Sequence, residues 1–169
     1  AVAMDAQGSS KALPYVERAN ATFTNVVDEE NLLGSLYGFK AIPNGLLIDE
    51  KGVLKYMKFT GFDIRTPTTA QMLSQWSKAT ARAGMTEESD ATSPGYDHLR
   101  AIALFRKGLE LYREGFIEKA LDKWKDGMIL EPDNYVIRKQ IWAVQHPERF
   151  YTSDKVDYIW QKEQLEKGL

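Results

Sequence analysis

Short apolar runs and helical spacings alternate through the first half of the chain, and helical spacing alone governs the rest. Val2 to Asp5 reads as a short strand that turns at Gln7-Gly8-Ser9. Ser9 or Ser10 is placed to cap a helix through Leu13, Val16 and Ala19. Pro14 is expected in its first turn, where a missing N–H does little harm. Phe23 to Asp28 reads as a second strand, and Asp28 as the cap of a helix through Leu32, Leu33, Leu36 and Tyr37 that Gly38 closes. After Ala41-Ile42-Pro43, the run Leu46-Leu47-Ile48, the turn Asp49–Gly52 and the alternation from Val53 to Phe59 predict a hairpin. Thr68 or Thr69 starts a helix with Met72, Leu73, Trp76 and Ala79 on one face, ending near Gly84.

Residues 85–96 hold few apolar side chains and read as a linker between a first domain, 1–84, and a second, 97–169. The second domain is expected to be all helix. One helix carries Leu99, Ile102, Phe105, Leu109 and Tyr112 up to Gly115, and the next carries Ile117, Ala120, Leu121, Trp124 and Met128 up to Pro132. A third follows Asn134 with Val136, Ile137, Ile141 and Trp142, and a last begins near Ser153 with Val156, Ile159, Trp160 and Leu165.

Composition changes this picture in two ways. The net charge of −2 carries no basic excess for a nucleic acid, and no apolar stretch is long enough to span a membrane. More decisive is the cysteine count of zero, which removes disulfides, thiolate nucleophiles and cysteine metal sites together.

Little other chemistry is encoded. His98 and His146 are the only histidines, with no i,i+4 pair, so no metal site is expected and both read as surface or capping residues. No glycine-rich run precedes Lys-Ser or Lys-Thr, so no phosphate loop and no cofactor is expected. Glu87, Glu88 and Asp90 read as a solvated linker run, and Asp63 with Arg65 as a local pair or helix cap. Trp142, Phe150, Tyr151, Tyr158 and Trp160 read as core or interface anchors.

The stretch Val26-Val27-Asp28, then Leu36-Tyr37-Gly38-Phe39-Lys40-Ala41-Ile42-Pro43-Asn44-Gly45-Leu46-Leu47-Ile48-Asp49-Glu50-Lys51-Gly52, resembles the thioredoxin-like redoxins. These include the membrane-tethered thiol–disulfide oxidoreductases of the TlpA/ResA kind and their alkyl-hydroperoxide-reductase (antioxidant) relatives. The resemblance covers roughly residues 1–84 and implies an α/β thioredoxin-like fold with an incomplete sheet. It implies a cis Ile42–Pro43 bond and a loop, Ala41, Ile42 and Pro43, that contacts an extended substrate chain by strand addition. It also implies a location outside the cytoplasm of a bacterium. The family's strand and helix bearing the reactive cysteines are not in this sequence, so dithiol exchange does not carry over. In the family that missing strand lies between the strand at Val2–Asp5 and the strand at Leu46–Ile48. The gap is expected to be filled by chain preceding Ala1, by a second copy of the chain or by a rearranged sheet, the first of these being favoured.

Ala101 to Asn134 resembles one tetratricopeptide repeat. Gly108, Gly115, Ala120, Trp124 and Pro132 fall at the family's small, turn, small, aromatic and terminating positions, whereas Leu104 and Lys107 depart from its pattern. One repeat does not bury its apolar face alone, so the two later helices are expected to cap it. Two functions follow. The chain is the cysteine-free part of a thiol–disulfide oxidoreductase or peroxide-reducing relative, or it is a non-catalytic module that binds a protein, a peptide or a second copy of itself.

Overall fold

The structure, a computed structural model, describes residues 1–78, 94–151 and 156–168. It is a mixed α/β arrangement followed by helices. Strand β1 (Val2–Met4) leads into helix α1 (Ser9–Arg18), β2 (Val26–Asp28), α2 (Leu32–Tyr37), β3 (Gly45–Ile48), β4 (Leu54–Lys58) and α3 (Pro67–Trp76). Helices α4 (Tyr96–Arg113), α5 (Ile117–Leu130) and α6 (Tyr135–Gln145) follow, then a short 3-10 turn at Pro147–Arg149 and α7 (Tyr158–Glu166).

The strands form two separate two-stranded sheets: β1 pairs in parallel with β2, and β3 pairs antiparallel with β4. Among the described residues each of the four strands is therefore paired on one edge only. Val26 N–H donates to the Ala1 carbonyl at 3.0 Å, on the β2 side. Because backbone groups alternate along a strand, Val2 and Met4 turn theirs to the opposite edge. In β3, the Pro43 carbonyl accepts from Phe62 N–H and Asp49 N–H donates to the Val53 carbonyl, so Leu46 and Ile48 turn theirs away from β4.

Local chemistry accounts for the element ends. Asp28 caps α2 as expected, its two carboxylate oxygens accepting from Leu32 and Leu33 N–H at 2.8 and 2.9 Å. Gly38, at φ 76°, closes that helix in the left-handed conformation. Asp49 Oδ1 accepts from both Lys51 and Val53 N–H at 2.9 Å, which folds the hairpin turn. Asn134 caps α6 by accepting from Ile137 N–H at 3.2 Å.

Several expectations are corrected. Ser9 is the first residue of α1 rather than its cap, and Gly8 precedes it without a side-chain cap. Pro14 therefore lies in the second turn. The second strand begins at Val26 rather than Phe23, which is exposed. Pro67 opens α3 behind Thr66, one or two residues before the expected start, as a residue with no N–H to satisfy can do. The last helix starts at Tyr158 behind Asp157, whose side chain accepts from Trp160 N–H, and Ile159 on it is exposed rather than buried. Residues 79–93, which include most of the expected linker, the acidic run and the Gly84 helix end, lie outside the described residues.

The core sits in the helical part. Ala101, Phe105, Leu109, Ala120, Leu121, Trp124, Ile137 and Ile141 form one buried cluster. Trp124 is fully buried and donates its indole N–H to the Phe105 carbonyl at 2.9 Å. A Cβ at Gly108 would lie 2.4 Å from that indole nitrogen, so α4 and α5 approach only because Gly108 has no side chain. Ala6, just beyond β1, belongs to the same cluster, and Met4 packs against it. The core is thus shared between the two parts of the chain.

Candidate functional site

Several polar contacts seat the helical part on the α/β part. Arg113 of α4 pairs with Glu29 at 2.9 Å and Glu30 at 3.5 Å, beside α2. The α5–α6 turn grips the loop that follows α2: Lys40 Nζ lies 2.9 Å from Glu131 and 3.2 Å from Asp133, and Val136 N–H donates to the Lys40 carbonyl at 3.2 Å. Burial pushes the Glu131 carboxyl up, but bonds from Lys40 and Asn134 and the neighbouring His98 outweigh that and hold it below its ordinary value.

His98 completes this junction, and its placement corrects the expectation of a surface residue. It is buried in α4, with Nδ1 at 2.9 Å from Glu131 Oε2 and Nε2 at 2.8 Å from the Gly34 carbonyl of α2. The sequence offered no sign of this beyond the Ile102, Phe105 and Leu109 spacing, whose buried face His98 joins, whereas Leu99, expected on that face, is exposed. His146 is exposed, as expected, with its ring against Trp160.

The gripped loop runs directly into Ala41-Ile42-Pro43, and the Ile42–Pro43 peptide is cis. Ala41 and Ile42 border a cavity of about 330 Å3 that separates β1 and α1 from α6 and α7. Its β1 wall is Ala3, Met4 and Asp5, and Ala12, Tyr15 and Val16 extend that wall along α1. The opposite wall is one face of α6, Val136, Lys139, Gln140 and Ala143, at the i, i+3, i+4, i+7 spacing of a helix. Phe150, Tyr151 and Gln161 line it as well. Tyr15 ties the two walls together by donating its hydroxyl to the Phe150 carbonyl.

Polar groups are few and mostly occupied on the β1 side. Asp5 Oδ1 accepts from Gln7 N–H at 2.9 Å and Oδ2 from the Tyr151 hydroxyl at 3.0 Å. Burial holds the Asp5 carboxyl above its ordinary value, and burial followed by the Asp5 charge pushes the Tyr151 phenol up. Gln140 Oε1 accepts from Ala6 N–H at 3.3 Å, just past the free edge of β1.

Of the residues predicted to pack the helical hairpin, Gly108, Ala120 and Trp124 lie together, while Gly115 and Pro132 stand at opposite ends of α5; none of the five lines this cavity. Ala120 and Trp124 are buried against Gly108, Gly115 turns the chain at φ 86°, and the Pro132 carbonyl accepts from Arg138 at 2.8 Å beyond the end of α5. Asp63 and Arg65 form the expected local pair at 2.6 Å. Trp142 and Phe150 form a second small core with Tyr151 and Trp160, while Tyr158 is exposed. Among the described residues no helix is long and apolar enough to cross a membrane, and no group of three or more His, Asp and Glu is placed to hold a metal ion. Compared with family models, with curated proteins and with solved structures, the chain matches none.

Proposed function

We propose that this chain is a thioredoxin-like redoxin unit joined to a tetratricopeptide-like hairpin, and that its role in a thiol–disulfide system is to hold an extended polypeptide in the cavity beside Ala41 and Ile42. The observation that carries the reading is the free edge of β1. Among the described residues no strand pairs with the second edge of β1, the edge to which Met4, a lining residue of the cavity, turns its N–H and C=O; a strand added there gains main-chain hydrogen bonds and apolar pockets for alternate side chains. The Ala41–Ile42 loop lies across the same cavity. The helical hairpin, by gripping Lys40, sets the position of that loop. Dithiol exchange needs a thiolate and a resolving sulfur. None of these 169 residues is cysteine, so any sulfur that reacts there is supplied from outside them.

Backbone amide exchange read residue by residue tests the reading. A reduced and alkylated, unfolded polypeptide is added in excess. Exchange at Met4 N–H slows, while Ala3 N–H, already turned toward β2, is unchanged. Equal exchange at Met4 with and without the polypeptide sinks the proposal. A binding module without any redox partner is the second reading. It is favoured by the absence of cysteine, and it predicts that the bound polypeptide is retained irrespective of added thiols.

A further inference from the structure

His98 is held by two acceptors at once. Its Nδ1 lies 2.9 Å from Glu131 Oε2 and its Nε2 2.8 Å from the Gly34 carbonyl, and His98 and Glu131 are each only 4% exposed. The surroundings fix Glu131 as a carboxylate. Lys40 Nζ sits 2.9 Å from Oε1, and an ammonium only donates. Asn134 turns its oxygen to Ile137 N–H, so its nitrogen donates to Glu131 Oε2 at 2.9 Å. The Gly34 carbonyl likewise only accepts, and it also receives Gly38 N–H at 2.8 Å. A neutral imidazole carries one ring proton and serves one acceptor, whereas two acceptors need both nitrogens protonated. His98 is therefore an imidazolium in this arrangement. The other charged groups near it are occupied elsewhere. Asp133 pairs with Lys40 at 3.2 Å, Asp97 with Arg100 at 4.0 Å on the surface of α4, and Arg138 of α6 donates to the Pro132 carbonyl at 2.8 Å. Helix α2, Leu32–Tyr37, carries no charged side chain and one titratable group, the Tyr37 phenol.

We infer that His98 is a pH latch: as an imidazolium it ties the end of α2 to α4 and to the α5–α6 turn, and loss of one ring proton releases α2. The proton that remains stays on Nδ1, toward the carboxylate, which is the stronger acceptor. Nε2 then turns a lone pair to the Gly34 carbonyl, and two buried acceptors face each other at hydrogen-bond distance. Helix α2 runs through Gly38 and Phe39 into Lys40 and the Ala41–Ile42 loop, so its last turn sets where that loop begins. The latch opens on both sides of a pH window. The Glu131 carboxyl, held below its ordinary value, loses its contribution as pH falls, and the His98 imidazolium loses its own as pH rises. This rests on the junction and not on what the cavity holds. Where an extended polypeptide lies beside Ala41 and Ile42, the latch makes its binding pH-dependent.

Two measurements on the whole chain test it, each at about pH 5.5 and about pH 8.5, on either side of the ordinary imidazole range. Long-range proton–nitrogen correlation spectra of the histidine rings, assigned with the exposed His146 changed in His146→Gln, are expected to show protons on both His98 nitrogens at the lower pH and on one at the higher. Amide exchange at Gly38 N–H, corrected for its intrinsic rate, is expected to show protection falling about tenfold or more from the lower pH to the higher, the scale of one hydrogen bond to a charged group. Ala120 N–H, which donates to the Phe116 carbonyl, keeps its protection. His98→Gln retains a donor that does not titrate, and abolishes the pH dependence at Gly38. The exchange comparison is made on the unaltered protein, so it stands even where a variant fails to fold. A single proton on His98 at pH 5.5, protons on both nitrogens at pH 8.5, equal Gly38 protection at the two values, or a pH dependence that survives His98→Gln overturns the inference, with pH values here good to about half a unit. No polypeptide is added, so failure of the latch leaves the polypeptide reading standing, and failure of that reading leaves the latch.

Discussion

The two parts of this molecule handle the same problem, pairing buried backbone groups, with different results. In α4 and α5 every interior N–H finds its acceptor within its own helix, so the two helices need only fit side chain to side chain. They do so closely: Phe105, Ala120 and Trp124 are inaccessible to solvent. In the α/β part each strand depends on a neighbour, and among the described residues each has one only on a single side. There Phe23 is 62% exposed and Leu36 68% exposed, and isolated two-stranded sheets are marginal by themselves. A helical hairpin is nearly complete as a local object, whereas a strand is half of an interaction. The same incompleteness that leaves the α/β part loosely covered is the feature that the proposed strand addition uses.

Substitutions separate the two parts, and the largest effect is expected in the hairpin. Trp124→Ala removes a fully buried indole and its bond to the Phe105 carbonyl, at a cost of about 3–5 kcal/mol. Urea unfolding followed by far-UV circular dichroism measures it. A loss well under 1 kcal/mol would show that the hairpin is not the stability centre of the chain.

A smaller loss is expected from Gly108→Ala, which places a Cβ 2.4 Å from the Trp124 indole nitrogen and forces that ring to move. Overpacking of this kind costs about 1–3 kcal/mol. In the Trp124→Ala background the clash no longer exists, so the two effects are expected to be strongly non-additive.

Acidification tests the junction between the parts. Glu131 is held below its ordinary value of 4.5, so its contribution is fully present above that pH and is lost as pH falls through the folded-state value. Asp5 is held above its ordinary value of 3.8 and has the opposite sign, favouring the folded state as it takes up a proton. Glu131→Gln is therefore expected to flatten the loss of stability below about pH 4.5, seen as a shallower fall in Tm with pH. An unchanged slope would mean that the Lys40–Glu131–His98 contact adds nothing to folding.

The smallest effect belongs to Asp63→Asn. Arg65 holds the Asp63 carboxyl at about 2, yet the pair is local and on the surface. No resolvable change in Tm is expected, and a clear drop would place that loop in the folding core.

Legibility from the residues followed the same division. The helices at Tyr96–Arg113, Ile117–Leu130 and Tyr135–Gln145 were readable almost to the residue, because a helical stripe and its cap are local signals. The Asp28 cap and the hairpin turn at Asp49 were readable for the same reason. The starts of α1, α3 and α7 were misjudged, since Ser9, Thr68 and Ser153 all carry capping chemistry and only the surrounding chain selects the cap in use. Of the cavity, Ala41 and Ile42 were named from the resemblance, but Lys139, Gln140, Gln161 and Asp5 were not. A polar residue on a helix carries no mark of the surface it will meet.

By itself, the order of residues determined the hairpin, the absence of thiol chemistry and the location of the proline loop, since each depends on near neighbours or on composition. Tertiary structure alone decided that His98 is buried against Gly34 and Glu131, that Ala6 joins the helical core, and that β1 and β3 stand in separate sheets. These are contacts between residues far apart in the chain, and their free energies depend on which surfaces meet, a quantity no local spacing contains.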